Sequence, residues 1–507
     1  MTQHTKKINL FFVYIICLFT SMLFFCFFGF NSPIYTFNTD VDYQWYMTVG
    51  NALTKGKIPY RDIFEHKGPL VYFLTAFCCL FPSPNIVMLI IEIFSMSLFF
   101  FFTYKICTKR LNPMLSFIII PMLAFAIFSS WSRITHGSTV EEFTLPIYTY
   151  FLSCWIEFIF EKRDWSFLRS LFIGMCLAFI FWSKFSILSF VIAPMLIWLI
   201  INIKTKNYKT LIGNLSYMII GFIIITCPII LFFLINHAFS DLFNVYFIFN
   251  LTVYNDFSIL SRINLITANM SNFFCIGPAL LFLFFWTIGY LIFNHNEKNL
   301  LILISFSITF TILIFIGRIG TYYYSILIPY TVLGSINLIQ IAFSKFQKKY
   351  TRYSKFYYTL FIFFCFAITI PFSNLPYEAD RPREDHAPLV FADIINNYEK
   401  ANNKEATLFC YKTPDYGIYN AAGIIPDKKY FVMNGIDESP NSMIHNAHKN
   451  YIKEQSADFV VARFGDWSQE YDFLSQYYQP YTNNINTSTY HYYHVVFTDD
   501  LILLIKK

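Results

Sequence analysis

Long apolar runs dominate the first three quarters of the chain. They recur at residues 8–30, 85–107, 113–130, 140–160, 166–182, 185–202, 210–235, 273–293, 299–316, 322–343 and 356–372. Most approach the roughly 20 residues that an α-helix needs to cross a hydrocarbon core about 30 Å thick. The pattern therefore predicts a polytopic α-helical membrane protein with about 11 transmembrane helices.

Two apolar segments are ambiguous by length alone. Residues 69–82 would form a helix of only about 21 Å, so we interpret them as a helix lying on the membrane surface. Residues 167–202 would be about 54 Å long as one helix, so we predict a hairpin that turns at Trp182-Ser183-Lys184. The first run, at 8–30, is longer than the apolar core of a signal peptide and is expected to be a retained span.

Basic residues set the orientation, because cytoplasmic loops collect Lys and Arg. With a cytoplasmic amino terminus, most of the basic residues before position 373 fall in inner segments, including the cluster Lys204, Lys206 and Lys209. An odd number of spans then places the carboxy terminus outside. The first outer loop covers residues 31–84 and carries the interfacial helices.

The composition changes near Pro371. Residues 1–372 hold 25 Lys/Arg and 13 Asp/Glu, whereas 373–507 hold 12 and 18. We therefore expect a transmembrane domain at 1–372 and a soluble extracytoplasmic α/β domain at 373–507. In the tail, β-rich runs at 407–411, 430–433, 458–463, 492–498 and 501–505 alternate with helical stretches at 387–402 and 441–456, and residues 372–386 resemble a linker.

Overall composition supports the membrane assignment and excludes several other classes. The chain of 507 residues is 56% hydrophobic and 13% charged, against roughly 25% charged in soluble proteins. The net charge of +6 combines a basic membrane part with an acidic tail, so it gives no argument for nucleic acid. The tail has a single cysteine, Cys410, and thus no disulfide framework.

The first outer loop is the segment richest in candidate chemistry. It combines carboxylates, basic residues and aromatic residues directly before the interfacial helix. Transfer of a sugar from a lipid phosphate to a hydroxyl needs a carboxylate to take the acceptor proton and cations to stabilise the leaving phosphate. A general acid is not required, because phosphate leaves as a stabilised anion.

Three basic residues at outer span ends, Arg133, Lys184 and Arg318, favour a phosphate site on the face where cations are scarce. Each could instead be explained singly by snorkelling. Glu141 and Glu142 open a span, where they either favour the positive helix end or provide further acceptor or metal contacts. Tyr322 and Tyr323 could stack on a sugar or belong to the interfacial belt.

The order of several motifs resembles the GT-C-type membrane glycosyltransferases, which include the protein O-mannosyltransferases and the aminoarabinose transferases of lipid A. The motifs are Asp42-x-x-x-Tyr46, Gly50, Gly56, Pro59-Tyr60-Arg61-Asp62 and His66-Lys67-Gly68-Pro69-Leu70 in the first outer loop, His136-Gly137-Ser138-Thr139-Val140-Glu141-Glu142, Trp182-Ser183-Lys184, and Gly317-Arg318-Ile319-Gly320-Thr321-Tyr322-Tyr323-Tyr324. The resemblance covers the membrane part and the general layout with an outer carboxy-terminal domain.

This resemblance implies a role for each matching residue. Asp42 matches the first-loop carboxylate that acts as base on the acceptor, and Lys67 matches the position facing the lipid phosphate, although His-Lys-Gly-Pro stands here where aminoarabinose transferases tend to show Lys-Pro-Pro. Arg318, Lys184 and Arg133 would assist at the phosphate, and Asp40, Glu141 and Glu142 would contact the acceptor or a metal. Sugar or lipid contacts are expected at Tyr46, Tyr60, His66, Tyr322 and Tyr323.

Several structural interpretations stay open from the residues alone. Asp42 could be a solvated carboxylate or a helix cap. Asp40 completes an Asp-x-Asp that could be surface charge or, with Asp42, bind a divalent cation such as Mg²⁺ or Mn²⁺. Asp62 and Glu65 could simply pair with Arg61 and Lys67. Glu92 could serve a proton relay or be hydrogen-bonded internally.

Two further histidine pairs have metal-like spacing without a matching acidic or cysteine cluster. They are His445/His448 and His491/His494. We do not expect them to bind metal.

The leading hypothesis is an inverting glycosyltransferase of the cell membrane. It would take a monosaccharide from a polyprenyl-phosphate donor and transfer it to a hydroxyl of a cell-surface glycan or glycolipid, with no nucleic-acid partner. A transporter or flippase of lipid-linked sugars and a surface polysaccharide polymerase or ligase are the alternatives. A flippase predicts broken helices and inverted repeats near the midplane of the bilayer.

Overall fold

The structure is a computed structural model that describes residues 9–129, 137–253, 259–294, 296–317, 319–343, 354–433, 442–481 and 501–507. Arg133, Arg318, the predicted strand at 492–498 and the pair His491/His494 lie outside the described residues.

The membrane part is helical throughout its described length. Its α-helices are α1 (Leu10–Phe28), α2 (Val41–Thr54), α3 (Pro69–Cys79), α4 (Pro84–Cys107), α5 (Pro113–Phe128), α6 (Val140–Glu161), α7 (Phe167–Lys184), α8 (Ser189–Lys204), α9 (Tyr208–Ile235), α10 (Phe239–Leu242), α11 (Asn250–Val253), α12 (Ile259–Phe274), α13 (Pro278–Phe293), α14 (Glu297–Phe315), α15 (Ile328–Phe343) and α16 (Ser354–Thr369). A π-helix spans Phe243–Phe249, and 3₁₀-helices span Phe185–Leu188, Thr321–Leu327 and Ile370–Phe372.

Polar residues mark where many of these helices begin. Asn9, Asp40, Asn112, Thr139 and Ser166 each accept a backbone N–H of the first turn of α1, α2, α5, α6 and α7, respectively. Such caps satisfy donors that have no partner within the helix.

The described residues contain seven helical stretches long and apolar enough to cross a membrane, or eight if the bent pair α12–α13 is one span. Residues 167–204 count once among these, and the apolar helices at 113–128 and 358–372 are shorter. Eleven segments, as predicted, are obtained when the bent pair counts as one span, the two arms of 167–204 count separately and the two shorter helices are included. The chain is a multi-pass membrane protein.

The hairpin predicted within residues 167–202 is confirmed, but its turn lies in the 3₁₀-helix Phe185–Leu188, because α7 continues through Trp182 and Ser183 to Lys184. Two contacts join the start of α7 to the end of α8. Trp165 stacks on Trp198 with ring centroids 4.8 Å apart and planes 7° apart, and Asn207 Nδ2 donates to Asp164 Oδ2 at 3.2 Å. In one straight helix these residues would be more than about 50 Å apart, so the chain must reverse through the 3₁₀-helix between α7 and α8.

The prediction of one span over 273–293 is wrong at its beginning. α13 starts at Pro278, and α12 precedes it at an angle of 102°. Gly277 has φ +101, a conformation that favours glycine, and Pro278 occupies the first turn. The backbone therefore breaks at this Gly-Pro pair although the apolar run continues through it.

The tail contains a small mixed sheet with strands β1 (Leu408–Cys410), β2 (Phe459–Arg463), β3 (Tyr478–Pro480) and β4 (Leu501–Lys506). The order is β1-β2-β4-β3, with β1 parallel to β2 and the other pairs antiparallel. The tail helices are α17 (Leu375–Glu378), α18 (Ala387–Asn402), α19 (Ile418–Ala422), α20 (Met443–Lys453), α21 (Phe464–Gln469) and α22 (Tyr471–Leu474), with a 3₁₀-helix at Arg383–Asp385.

Most tail predictions are confirmed within the described residues. Strands occur in 407–411, 458–463 and 501–505, and helices in 387–402 and 441–456. The predicted strand at 430–433 is wrong, because this segment has no strand pairing: only single backbone bonds connect it, such as that from Cys410 N to Phe431 O at 3.1 Å. β3 was not predicted.

The chain packs as two compact units built from discontinuous segments. The first comprises residues 1–34, 88–228 and 257–376, and the second comprises residues 35–87, 229–256 and 377–507. Within the second unit, the tail packs directly on the first loop: Thr48 Oγ1 donates to Asp415 Oδ2 at 2.7 Å, Asn420 Nδ2 donates to Gln44 O at 3.0 Å, and Phe64 N donates to Lys429 O at 2.8 Å. Tail and loop thus form one folded body.

Candidate active site

The first loop presents its acidic residues at the start of α2. Asp40 is the cap of this helix, and its Oδ1 accepts from Tyr43 N at 2.8 Å. Asp42 stands in the first turn and is half-buried. Asp40 therefore has a capping role that Asp42 does not share, although the sequence presents the two carboxylates as one Asp-x-Asp pair.

Three consecutive residues after α2, which we call the loop triad, form a buried charged cluster. They are Glu65, His66 and Lys67, with 1%, 3% and 9% of their surfaces exposed. Nδ1 of His66 lies 2.9 Å from Oε1 of Glu65, and Nε2 of His66 lies 3.4 Å from Nζ of Lys67. The imidazole therefore stands between a carboxylate and an ammonium group.

The contact between Glu65 and His66 is close without being a well-aligned hydrogen bond. Contacts of catalytic groups are often loosely aligned until a substrate binds. The other carboxylate oxygen, Oε2, accepts from Lys67 N at 2.9 Å and from the Tyr72 hydroxyl. Glu65 is thus fixed from two sides.

The backbone of the loop triad is held by neighbouring elements. Asn250 Nδ2 donates to His66 O at 2.7 Å, and the Tyr60 hydroxyl donates to Lys67 O at 2.6 Å. Tyr72 OH lies 3.1 Å from Lys67 N. Three side chains therefore fix a three-residue segment, which reduces the reorganisation that the site needs when a ligand binds.

Electrostatics connect Asp42 to the loop triad. Burial and the Lys67 charge lower the pKa of His66, whereas the charges of Glu65 and, to a smaller extent, Asp42 raise it, and the net direction is downward. Burial raises the pKa of Glu65, but His66, Lys67 and the Tyr72 hydroxyl together lower it further, so the carboxyl is ionised. At neutral pH a neutral imidazole then separates an anion from a cation.

The structure thus brings the predicted base and the predicted phosphate ligand into one cluster. Asp42 acts on His66 electrostatically, and His66 contacts Lys67. Of the open alternatives, Asp62 pairs with Arg61 at 2.9 Å. The side chain of Glu65 pairs with His66, and Glu65 accepts a hydrogen bond from the backbone N–H of Lys67.

Two aromatic residues expected to contact sugar or lipid are fully packed. Tyr60 and Tyr46 are 0% and 2% exposed. The hydroxyl of Tyr60 donates to the Lys67 carbonyl, and the backbone carbonyl of Tyr46 accepts from Thr75 Oγ1 at 2.7 Å. Their described contacts position the loop.

In the first unit, Lys184 forms a buried ion pair. Its Nζ lies 2.6 Å from Glu141 Oε1, and the two side chains are 8% and 1% exposed. The same ammonium stands 3.5 Å from the ring centroid of Tyr323 and 5.3 Å from that of Tyr322. These contacts join four residues that the sequence singled out, and the carboxylate of Glu141 balances the charge of Lys184.

Glu142 and Glu92 contact the short segment before α6. Gly137 N donates to Glu142 Oε2 at 3.1 Å. Glu92 Oε1 accepts from Asn31 Nδ2 at 2.8 Å and from Ser138 Oγ at 2.5 Å. Internal hydrogen bonding of Glu92 is confirmed, and Glu142 shares with it the fixing of this turn.

The described residues contain no group of three or more His, Cys, Asp and Glu side chains arranged to hold a metal ion. His448 instead packs into the tail core, with its ring centroid 4.7 Å from that of Phe409, and its Nδ1 accepts from Lys412 N at 3.3 Å. A cation at the first loop would have to bind through the carboxylate of Asp42 and through Oδ2 of Asp40, because Oδ1 of Asp40 caps α2.

Several site residues were not found by sequence reasoning. Glu65 was considered only as a charge partner, and Tyr72 and Asn250 were not considered at all. Tyr72 lies two residues beyond the His-Lys-Gly-Pro-Leu segment, in the first turn of α3, and this closeness to the motif could have indicated it. Asn250 lies far along the chain, and its polar side chain within an apolar run is the single hint.

No family model matches the sequence, and a search of curated proteins finds no match. Among solved structures, the chain is similar to the crystal structure of ArnT from Cupriavidus metallidurans in the apo state, with a TM-score of 0.59, 11% identity and coverage of 97% of both chains. It is also similar to the same protein bound to undecaprenyl phosphate, with a TM-score of 0.53, 11% identity and coverage of 98% of this chain and 97% of the other. At this identity the likeness concerns the fold, so the chain has the fold of a GT-C-type membrane glycosyltransferase, as the order of its motifs predicts.

Proposed function

We propose that the protein is an inverting glycosyltransferase that moves a monosaccharide from a polyprenyl-phosphate donor to a hydroxyl of a cell-surface glycan or glycolipid. The observation that carries the proposal is the buried loop triad, in which the Lys67 ammonium lies 3.4 Å from the His66 imidazole, on the same loop that carries Asp42 in the first turn of α2. A base and a cation in one pre-formed site are the two groups that this chemistry needs.

The reaction assigns one role to each group. Asp42 removes the proton of the acceptor hydroxyl while the hydroxyl oxygen attacks the anomeric carbon. The bond between that carbon and the phosphate oxygen breaks, and the electron pair leaves with the polyprenyl phosphate. Lys67 stabilises the negative charge that grows on the departing phosphate. Attack opposite the leaving group inverts the anomeric configuration.

The other predicted cations contribute unequally to this proposal. Lys67 contacts a neutral imidazole, whereas Lys184 is paired with the carboxylate of Glu141. An ion-paired lysine must exchange its partner before it binds phosphate, which costs desolvated charge contacts. We assign the phosphate contact to Lys67, whose position in the first loop matches the family motif, and Lys184, Arg133 and Arg318 stay proposals from the sequence.

The acceptor side is proposed from the glutamates and tyrosines of the first unit. Glu141 and Glu142 are assigned acceptor contacts, with Tyr322 and Tyr323 as stacking partners for a sugar ring. The lipid-phosphate donor is supported by the structurally similar ArnT, which has been solved bound to undecaprenyl phosphate. We propose that the site lies on the outer face of the membrane, with a cytoplasmic amino terminus and an extracytoplasmic tail.

The experiment is a transfer assay with purified full-length protein, a panel of radiolabelled polyprenyl-phosphate sugars and envelope glycolipid acceptors. Asp42→Asn should lower the transfer rate by roughly 100-fold or more, since general base catalysis contributes about 10²–10⁴. Asp62→Asn is the matched control, because Asp62 lies in the same loop but pairs with Arg61. Transfer that survives Asp42→Asn contradicts the assignment. Activity lost in EDTA and restored by Mg²⁺ or Mn²⁺ would establish that the reaction needs a divalent cation.

One observation favours the second candidate, a flippase of lipid-linked sugars. α12 and α13 form a helix pair bent by 102°, and broken helices are typical of transporters. The same preparation distinguishes the two: a flippase moves labelled lipid across proteoliposomes without an acceptor, and Asp42→Asn does not stop it. Sugar transfer that depends on Asp42 excludes this candidate.

A further inference from the structure

We propose that Glu65 and His66 are positioning residues that hold the Lys67 ammonium in place for the donor phosphate. This inference rests on the proposed function and deepens it, because it gives Glu65 and His66 a role that acts through Lys67. It depends on the geometry of the loop triad: carboxylate, imidazole and ammonium follow one another at 2.9 Å and 3.4 Å, all buried.

The first step concerns the proton on His66. An ionised Glu65 beside Nδ1 favours the tautomer with the proton on that nitrogen. Nε2 then carries a lone pair, which faces Nζ of Lys67. Glu65 therefore turns His66 into a hydrogen-bond acceptor for the lysine.

The second step concerns the lysine. An ammonium group has three donors on a flexible four-carbon stem, so a lone lysine binds phosphate as a loosely placed point charge. One donor directed to Nε2 orients the other two. Because the imidazole is neutral, its contact with Lys67 does not offset the charge of the ammonium group, whereas the Glu141 carboxylate faces Lys184 at 2.6 Å.

The third step concerns rigidity. Asn250 and Tyr60 bind the carbonyls of His66 and Lys67, and Glu65 and Tyr72 meet the Lys67 N–H. The segment cannot turn its backbone to bring Lys67 elsewhere without breaking these bonds. The remaining freedom is that of the Lys67 side chain, which His66 restricts.

The test measures binding of undecaprenyl phosphate to detergent-solubilised full-length protein, with sugar transfer as a second readout. Lys67→Met should weaken binding strongly. His66→Phe keeps a ring but removes the acceptor, and should weaken binding about tenfold, the loss expected for one hydrogen bond to a charged group. His66→Gln offers a donor to Glu65 and an acceptor to Lys67, and should restore binding to within about threefold of wild type.

Glu65→Gln tests the origin of the arrangement and has a matched control in the same chain. Glu470 also accepts a hydrogen bond from a tyrosine hydroxyl, that of Tyr411 at 2.5 Å, and it pairs with Lys412, the residue after Tyr411. It belongs to the tail and not to the loop triad. Glu65→Gln should weaken binding as His66→Phe does, whereas Glu470→Gln should leave it unchanged.

The pH dependence separates positioning from mere folding. The titratable groups acting on His66 are Glu65 and Lys67 from its own segment and Asp42 from α2, and the 243–253 segment presents Phe249 and Asn250, which do not titrate. A proton on Nε2 would remove the acceptor and repel Lys67. Wild-type binding should therefore fall more steeply on acidification below pH 6.5 than that of His66→Gln.

The outcomes are distinct. Wild-type protein that neither binds undecaprenyl phosphate nor transfers a sugar overturns the proposed function and this inference with it. If wild type binds and Lys67→Met does not, unchanged binding by His66→Phe overturns the inference alone. Equal impairment of His66→Gln and His66→Phe, with both folded, overturns it as well, since the hydrogen-bond bridge would then not matter.

Discussion

Asp415 is a carboxylate buried where the tail meets the first loop. Its oxygens accept from Thr48 Oγ1 at 2.7 Å, Gly417 N at 2.8 Å and Ile418 N at 2.9 Å. Burial raises its pKa from 3.8 to about 6, against the smaller lowering by these bonds. The residue therefore joins two segments of the second unit while its own charge opposes folding at neutral pH.

The sign of this effect gives a stability prediction. Between about pH 4 and pH 6 the folded state holds a proton that the unfolded state has released, so this contribution to stability falls as pH rises through that window and stays low above it. Asp415→Asn keeps the acceptor and removes the charge. Its melting temperature relative to wild type should be higher at pH 7.5 than at pH 4.5, with a free-energy difference of at most about 3 kcal/mol.

Asp458 is the control for this measurement because its pKa shifts the other way. Burial raises the pKa of Asp458, but bonds from Lys404 and Thr407 lower it further, and the net direction is downward. Its stabilisation is present above the ordinary carboxyl pKa and is lost as pH falls. Asp458→Asn should thus be more destabilising at pH 7.5 than at low pH; equal effects of both substitutions at the two pH values would contradict the assignment.

At the scale of elements, α7 and α9 approach through two glycines. A Cβ on Gly174 would lie 2.0 Å from Met218 O, and one on Gly221 would lie 2.0 Å from Leu171 O. Side chains at these positions would push the backbones apart. The close approach also lets Trp182 Nε1 reach Thr226 Oγ1 at 2.9 Å, near the end of α7 that carries Lys184.

Substitution at these glycines should separate packing from helix propensity. Gly174→Ala should lower the melting temperature in detergent, because overpacking costs about 1–3 kcal/mol. Gly289→Ala in α13 is the control: no atom lies within 4 Å of its added Cβ, and alanine favours a helix over glycine by roughly 0.5–1 kcal/mol. An equal response of the two variants would show that α7 and α9 are not in backbone contact.

At the scale of the whole molecule, the second unit is assembled from three stretches that are distant in the chain. The tail is bonded to the first loop through Asp415, Asn420 and Lys429. A tail that packs on the loop carrying Asp42 and Lys67 supports the same side of the membrane for both. The orientation of that side is a separate question for experiment.

Cysteine labelling in intact cells tests the orientation. Lys55, after α2, and Lys206, between α8 and α9, are both exposed loop lysines. With a cytoplasmic amino terminus, Lys55→Cys should react with a membrane-impermeant maleimide in intact cells, and Lys206→Cys should react only after permeabilisation. Unmodified protein gives the background from its native cysteines, and the reverse pattern would invert the predicted topology.

The apolar pattern predicted the membrane helices well because each span must satisfy its backbone hydrogen bonds internally and hide its polar groups from lipid. That requirement acts locally, so it is visible in the lengths of the apolar runs and in the hairpin between α7 and α8. It failed at Gly277-Pro278, where backbone conformation broke an apolar run, and at 430–433, where β-rich residues found no strand partner.

The sequence by itself determined the helical membrane class, the mixed tail and the residue types of the candidate site. Tertiary structure decided how those residues are used: that Asp40 caps a helix, that Lys184 is paired with Glu141, and that His66 stands between Glu65 and Lys67. The reason is physical. Burial and partner choice set the charge and direction of a side chain, and they arise when segments such as 35–87 and 229–256 pack together, which no local pattern encodes.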